Sequence, residues 1–456
     1  MILSADIGTT SLKAAFIDFD GHLKAFSRFA YPSGCAAEVW EKAFERVLEN
    51  LHAQNPALKI DGLCISGNGP TLVPVSREGK ALPPLYWFNE AAGRESSVRR
   101  EITAKSLFLP HVVSFREQAP SLFEKVKFFF SSHEWLASRL GADSFTVIPQ
   151  AAYGPYYWDD EQCRLFGLEM DKFPPFLRMG SLAGKVSSQA ANLYGSLGLR
   201  SGIPIIAGAP DFISALIGTG ALKSGDVCDR AGSSEGVNFC LQSEGVVEAG
   251  ERGTGSGGIN SVRLLPHVKK GFVNISALIP VSGRLFDLYR TSTNQEDRSY
   301  EALLAELIPP MADTSFFERQ NEEGAFGRSV LCAIGFSVRR AVEALESRGL
   351  TVKAMRVSGG QGKNPLWNQL KADITGVPLM IPEICDGELA GNAVLAACAL
   401  QNHSAADEDF ERVLDATVGR MIRFRQEYSP RGETASFWKE RYKTANEKSF
   451  TNEGFK

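Results

Sequence analysis

Apolar positions along the chain fall into two periodicities. Residues 1–30 alternate short apolar runs with tight turns: ILSADI, then Gly8-Thr9-Thr10-Ser11, then LKAAFID, then Asp20-Gly21 and a third run. Runs of this length bounded by Gly, Asp and Ser read as strands, and the short turns predict an antiparallel meander. DGLCISG (61–67), GIPIIAG (202–208) and KAMRVSGG (353–360) read as further strands, the last running into glycines. Residues 328–349 switch to a helical period: Val330, Ile334, Val338, Val342 and Leu345 recur three or four apart, with Gly349 as the stop. Residues 364–376 carry Leu366, Leu370 and Ile374 on one helical face, and the Ala-rich stretch 387–400 predicts another helix. SLFEKVKFFFSSHEWLASRL (121–140) also reads as a helix. The charged C-terminal stretch predicts a surface helix and a frayed tail.

At 456 residues the chain exceeds one ordinary core, so two or more domains are expected. A weak internal repeat places the division. SGDVCDRAGSSEGVNFCLQ (224–242) repeats strand, Gly-plus-hydroxyl turn (Gly232-Ser233-Ser234) and strand, and Gly232 stands 224 positions after Gly8. Two similar domains follow, at 1–222 and 223–456. A formal net charge of −4 and a pI near 6.0 argue against a general nucleic-acid or anionic-membrane binder. The eight cysteines are scattered without metal-ligand spacing, which fits buried free thiols in a reducing cytosol. No signal peptide, membrane span or membrane partner is expected, since Asp6 interrupts the first apolar run and no stretch reaches 18 uninterrupted apolar residues. The expected location is cytoplasmic.

Four segments carry candidate chemistry. Backbone N–H groups at a glycine turn form an anion nest, and hydroxyls add donors. A carboxylate beside such a nest repels phosphate unless a metal bridges the two. Asp6 beside Gly8, Thr9, Thr10 and Ser11 therefore points to a Mg²⁺–nucleotide, or else to a plain hairpin in which Asp6 accepts turn N–H bonds. Gly232-Ser233-Ser234 is a second nest without a matching acid, or an ordinary serine turn. SGGQGKNP (358–365) lies between strand and helix, where Gly359 and Gly360 let a ligand approach the backbone; its spacing is not that of a Walker A loop. GTGSGG (253–258) fits the dinucleotide pattern formally but follows no strand and reads as a flexible loop. Asp211 follows an apolar strand and precedes a helix, as either an N-cap or a general base; position alone favours the cap.

In order along the chain, these segments resemble the FGGY carbohydrate kinases of the actin-like ATPase superfamily. ADIGTTSLKAAFID is similar to the first phosphate motif, and GLCISGNGPTLVPVSREGKALPPLYWFNE to the sugar-site strand and the segment after it. PSLFEKVKFFFSSHEWLASRLGA resembles the helix before the domain crossover. AGAPDFISALIGTGALKSGDVCDRAGSSEGV resembles the catalytic-aspartate helix and second phosphate motif. RVSGGQGKNPLWNQLKADITGVPLMIPE with ELAGNAVLAACAL is similar to the adenosine motif and second connecting helix. The resemblance implies an α/β fold of two actin-like (ribonuclease H-like) domains with an interdomain cleft. It implies transfer of the ATP γ-phosphoryl group to a sugar or polyol hydroxyl, with ATP and Mg²⁺ as cofactors. Asp211 would be the base and Asp6 the Mg²⁺ acid. Gly8, Thr9, Thr10, Ser11, Lys13, Gly232, Ser233 and Ser234 would hold phosphates, and Gly359, Gly360, Gln361 and Asn364 the nucleotide. Asn68, Trp87, Asn89, Glu90, Arg94 and Phe212 would read the substrate. A homodimer is the default expectation for assembly.

Departures from the family pattern fall on the substrate side. Gly67-Asn68-Gly69-Pro70 stands where many members carry a Gln-Met-His-Gly stretch. Trp87-Phe88-Asn89-Glu90 replaces Trp-Asn-Asp, with Arg94 further on than the family arginine. Residues 309–327 lack a Gly-Glu-Arg-Thr-Pro segment. These changes motivate an alternative of another class, a catalytically weak kinase-like sensor of nucleotide or sugar. Retention of both Asp6 and Asp211 favours the enzyme.

Overall fold

The computed structural model describes residues 1–88, 105–232, 235–245, 262–279, 281–309, 313–319, 324–401 and 407–451. These pack as two compact units, one drawn from residues 1–220, 268–270 and 387–422, the other from 221–267, 271–386 and 423–456. Residues 387–422, which the sequence alone assigned to the C-terminal domain, thus pack with the first unit.

In the first unit, β1 (Ile2–Ile7), β2 (Ser11–Ile17) and β3 (Leu23–Ala30) form the expected antiparallel meander. After α1 (Ala37–Gln54), β4 (Gly62–Gly67) joins β1 in parallel. An antiparallel pair follows, β5 (Leu72–Ser76) against β6 (Val126–Ser131), and then α2 (Ser132–Leu140). β7 (Leu182–Lys185), β8 (Pro204–Pro210) and α3 (Asp211–Gly218) complete the run, giving the sheet order β3-β2-β1-β4-β8-β7. Register decides what meets at the sheet's carboxyl end. Asp6 pairs with Ser66 on one side and Lys13 on the other, and paired positions present side chains to the same face. Pro210 pairs with Gly67, so Asp211 begins its helix level with the ends of β1 and β4.

Residues 121–140 do not form one helix. Val126–Ser131 is a strand, and the helix starts only at Ser132. The cause is local: Ser131 and Glu134 make a reciprocal capping box, with the Ser131 N–H donating to Glu134 Oε2 at 2.6 Å. The aromatic run before it suits an extended backbone.

The second unit begins with β9 (Val227–Ala231), β10 (Glu235–Gln242), β11 (Val262–Pro266) and β12 (Phe272–Ile279). It continues through α4 (Ala325–Glu346), β13 (Met355–Ser358), α5 (Pro365–Thr375) and β14 (Leu379–Pro382). Its sheet runs β11-β12-β10-β9-β13-β14, closed by β15 (Phe424–Tyr428). The last helix of the second unit, Ala435–Thr451, is more than a surface helix, because Trp438 and Tyr442 are buried in that unit's core. A missed charge cluster lies in the same unit. Lys371 is 1% exposed and donates to Asp229 at 2.8 Å and to Glu235, which also accepts from Ser282. Burial and the neighbouring Glu235 push the Asp229 carboxyl up, whereas Lys371 holds Glu235 down against its own burial. All eight cysteines are free and seven are buried, as expected.

Between β14 and β15 the chain returns to the first unit as α6 (Gly387–Gln401), followed by α7 (Asp407–Met421). α6 is buried on every side from Gly387 to Cys398, as a helix apolar all round should be. It crosses α3 at backbone contact. A Cβ at Gly391 would lie 1.9 Å from the Ser214 backbone oxygen, and one at Gly218 1.9 Å from that of Gly387.

Two stability outcomes follow. Gly391→Ala should lower unfolding free energy by about 1–3 kcal/mol in urea titration, through enforced separation of α3 and α6. Lys371→Met should cost about 3–5 kcal/mol, because two buried carboxylates lose their cation. A neutral effect in either titration contradicts the packing described.

Candidate active site

The turn after β1 is held from behind. Gly8 N–H donates to the Ser11 carbonyl at 2.9 Å, Tyr31 Oη donates to the Gly8 carbonyl at 2.8 Å, and Tyr31 N–H donates to the Thr10 carbonyl at 2.9 Å. Arg28 Nε donates to Ser11 Oγ at 3.0 Å. Thr9 and Gly8 are half-buried, and Thr10 is exposed. A Cβ at Gly8 would come within 3.0 Å of the Ser11 carbonyl, so the turn needs glycine.

Asp6 lies beneath this turn, buried, and accepts the Ser66 hydroxyl at 2.7 Å. Burial pushes its carboxyl up, and the charges of Glu388 and Asp211 push the same way; Lys13 and the Ser66 hydrogen bond oppose them. Two carboxylates and one lysine therefore act on Asp6. Asp211 is the first residue of α3, the N-cap position being Pro210, and its Oδ1 accepts the Phe212 N–H at 2.7 Å. Both Asp211 and Phe212 are half-buried.

Asn68 follows β4 and is buried. Its N–H donates to the Ile7 carbonyl at 2.8 Å and its Oδ1 meets Ser132 Oγ at 3.5 Å, while Nδ2 finds no partner among the described residues. His133, buried on α2 beside Gly67, has neither ring nitrogen partnered among the described residues, and burial pushes its pKa down to about 3. Trp87 is exposed. Asn89, Glu90, Arg94, Ser233, Ser234 and the 253–258 loop lie outside the described residues.

In the second unit the loop after β13 divides its two glycines by role. Gly359 has φ +100°, and a Cβ there would lie 2.4 Å from the Ala231 carbonyl. Gly360 is exposed, and a Cβ there would meet nothing within 4 Å. Gln361 Nε2 donates to the Gly232 carbonyl at 3.2 Å and to Ser282 Oγ at 2.9 Å, and its Oε1 accepts Trp367 Nε1 at 2.9 Å. Asn364 is a true N-cap, accepting the Trp367 N–H at 3.0 Å. Gln361 thereby ties the Gly360 loop to the Gly232 turn.

Sequence reasoning missed Ser66, Glu388, Asn392 and Lys371. Ser66 reads as filler in an apolar strand until register sets it beside Asp6. Asn392 and Glu388 carried one available signal, polar side chains inside an Ala-rich apolar helix.

Comparison with known proteins gives the family. The FGGY family of carbohydrate kinases, N-terminal domain, matches residues 1–218, and its C-terminal domain matches residues 302–400. The chain is 24% identical to a probable L-xylulose kinase of Haemophilus influenzae, over 89% of this chain and 91% of that protein. It is 24% identical to the xylulose kinase of Bacillus subtilis, over 87% of each. The fold matches a crystal structure of Plasmodium falciparum glycerol kinase with ADP at a TM-score of 0.70, with 16% identity over 98% of this chain and 97% of that one. Both halves of the family pattern thus occur in order along one chain, which belongs to the FGGY carbohydrate kinases, enzymes that phosphorylate sugar hydroxyls.

Proposed function

We propose that the chain transfers the γ-phosphoryl group of ATP to a hydroxyl of a ketopentose of the xylulose type, with Asp211 as general base and Asp6 as the acid that holds Mg²⁺. The observation that carries this reading is the single row at the carboxyl end of the first sheet. Asp6, Ser66 and Lys13 are paired across three strands, and Asp211 opens the helix after a fourth. Open α/β sheets collect ligands at this end. The xylulose kinases among the relatives supply the acceptor class, and the ADP-bound neighbour supports a nucleotide donor.

The residues present fit a divalent cation. Asp6 is a hard oxygen donor, and the carboxylates of Glu388 and Asp211 both lie close enough to act on it. Among the described residues no three His, Cys, Asp or Glu side chains form a complete ligand set, so Asp6 would hold the ion together with water and phosphate oxygens. Bound there, Mg²⁺ neutralises charge developing on the transferred phosphoryl group. The rest falls to the chain's own groups. Backbone N–H groups and hydroxyls of Gly8, Thr9 and Thr10, with the Lys13 ammonium, orient phosphate oxygens. Asp211 takes the acceptor proton as the oxygen attacks. Phosphoryl transfer asks the protein mainly for position and charge, which suits a turn braced by Tyr31 and Arg28. At Gly360 the open space beside the backbone suits the flat approach of a nucleotide.

Three experiments test this reading. Asp211→Asn keeps an oxygen that accepts the Phe212 N–H, so its melting temperature should hold while kcat for D- or L-xylulose falls about 10²–10⁴-fold. Near-normal turnover in a folded variant removes the base assignment. Excess EDTA should abolish phosphorylation, with recovery on adding Mg²⁺; metal-independent turnover removes the role of Asp6. Gly360→Val should raise KM for ATP and spare that for the sugar. Gly359→Ala should instead lower thermal stability, because its Cβ meets the Ala231 backbone. Equal effects of the two changes on both substrates remove the assignment of Gly360 to the nucleotide.

A further inference from the structure

Asn392 is wholly buried in the middle of α6, between alanines at 390, 393, 396 and 397. An alanine would suit that helix at least as well, and a buried amide is costly unless its groups are bonded. They are bonded, to three different elements. Nδ2 donates to the Ala5 carbonyl on β1 at 2.8 Å and to Ser66 Oγ on β4 at 2.9 Å. Oδ1 accepts the Ser214 hydroxyl on α3 at 3.0 Å. The Ala5 carbonyl can only accept, which fixes which end of the amide faces it.

The directions of these bonds matter. Because Ser66 Oγ receives the Asn392 N–H, its own proton is left to point at Asp6 Oδ1, 2.7 Å away. Bonds aligned head to tail strengthen one another. Ser214 stands three residues after Asp211 on the same helix. One side chain therefore touches the residue before Asp6, the hydroxyl that Asp6 accepts, and the helix that Asp211 opens.

We infer that Asn392 is a positioning residue for phosphoryl transfer, orienting Asp6 through the Ser66 hydroxyl and setting its place against the helix that begins at Asp211. The inference rests on the proposed roles of Asp6 and Asp211. Neither Asn392 nor Ser66 needs to touch substrate. Ser66 is one hydrogen bond from Asp6 and Asn392 is two, and outer partners of a group that holds a metal typically contribute about 10–100-fold to affinity or activity.

The experiment compares Asn392→Ala, Ser66→Ala and the double variant. It measures melting temperature, kcat and both KM values, and the Mg²⁺ dependence of ADP binding by calorimetry. Each single change should lower kcat and raise the Mg²⁺ concentration for half-maximal ADP binding by about 10–100-fold, with KM for the sugar unchanged. The double variant should be no worse than the worse single, because both break one relay. Losses that multiply in the double, or a fall in melting temperature with wild-type kcat and Mg²⁺ dependence, overturn the inference. Should Asn392→Ala fail to fold, Ser66→Ala reads the same relay with the Ala5 and Ser214 bonds intact. A wild-type protein that phosphorylates no xylulose but binds ADP in a Mg²⁺-dependent way removes the acceptor assignment alone, and the calorimetric comparison still decides the role of Asn392. ADP binding indifferent to Mg²⁺ in the wild type overturns both.

Discussion

Two helix backbones in the first unit cross with no room for a side chain between them. Gly391 of α6 lies against the Ser214 carbonyl, and Gly218 of α3 against that of Gly387. This contact has to form between segments far apart in the chain, the Ser214–Asn392 pair being separated by 178 positions. The surroundings of Asp6 at the carboxyl end of the first sheet depend on it. Only because α6 sits at backbone distance does Ser4 Oγ reach the Leu389 carbonyl at 2.8 Å and Asn392 reach Ala5 and Ser66. The same approach sets Glu388 close enough to act on Asp6. Side chains at the crossing would push α6 away by more than the tolerance of a hydrogen bond. Burial of a helix apolar on every face supplies the driving force, and glycine supplies the fit.

The two units handle buried charge in opposite ways. In the second, Lys371 faces two carboxylates, and Ser282 and Gln361 extend the network to the Gly232 turn. The cation needed to hold those acids is built into the chain, so the cluster is closed and braces a turn. In the first unit burial and the charges of Glu388 and Asp211 push the Asp6 carboxyl up, and Lys13 opposes them. Like charges gathered out of water are costly unless something positive arrives. On the proposed reading of Asp6 and Asp211, the cation of a metal-bound nucleotide would supply that positive charge. On that reading the first group serves the reaction, whereas the second braces a turn.

Legibility in the sequence tracked how local each cause was. The opening meander was readable because Gly8, Thr9, Thr10, Asp20 and Gly21 determine their own turns within a few residues. Strands at 62–67, 204–210 and 355–358 were readable from short apolar runs, helices at 325–346 and 365–375 from period, and the helix at 387–401 from its alanines. The strand at 126–131 was lost because three successive phenylalanines carry no period, although the Ser131-x-x-Glu134 cap marked the true helix start. Candidate acids were legible by type and position. Their setting was not, because Asp6 gains Ser66 from 60 residues away and Ser66 gains Asn392 from 326 residues away. Burial of Trp438 was likewise decided by tertiary packing, in a stretch whose charged residues alone suggest surface.

Substrate choice is least legible of all, for a related reason. After β4 the chain departs from the family stretch, and there Asn68 Nδ2, Thr71 Oγ1 and both nitrogens of His133 are buried without partners among the described residues. Each such group costs about 1–3 kcal/mol relative to a bonded one. Apolar side chains in their place would remove that cost, so these groups lower local stability where they stand. Burial pushes the His133 pKa down to about 3, leaving a neutral imidazole with one donor and one acceptor. If the acceptor binds there, as the proposed function has it, such fixed donors and acceptors would discriminate sugar epimers, because an unmatched buried polar group penalises the wrong stereoisomer more than a loss of apolar contact. Nothing in the order of residues states which way these groups point. That information enters only when β4, α2 and the β5–β6 pair have packed, which is why the reaction class could be read along the chain and the identity of the acceptor could not.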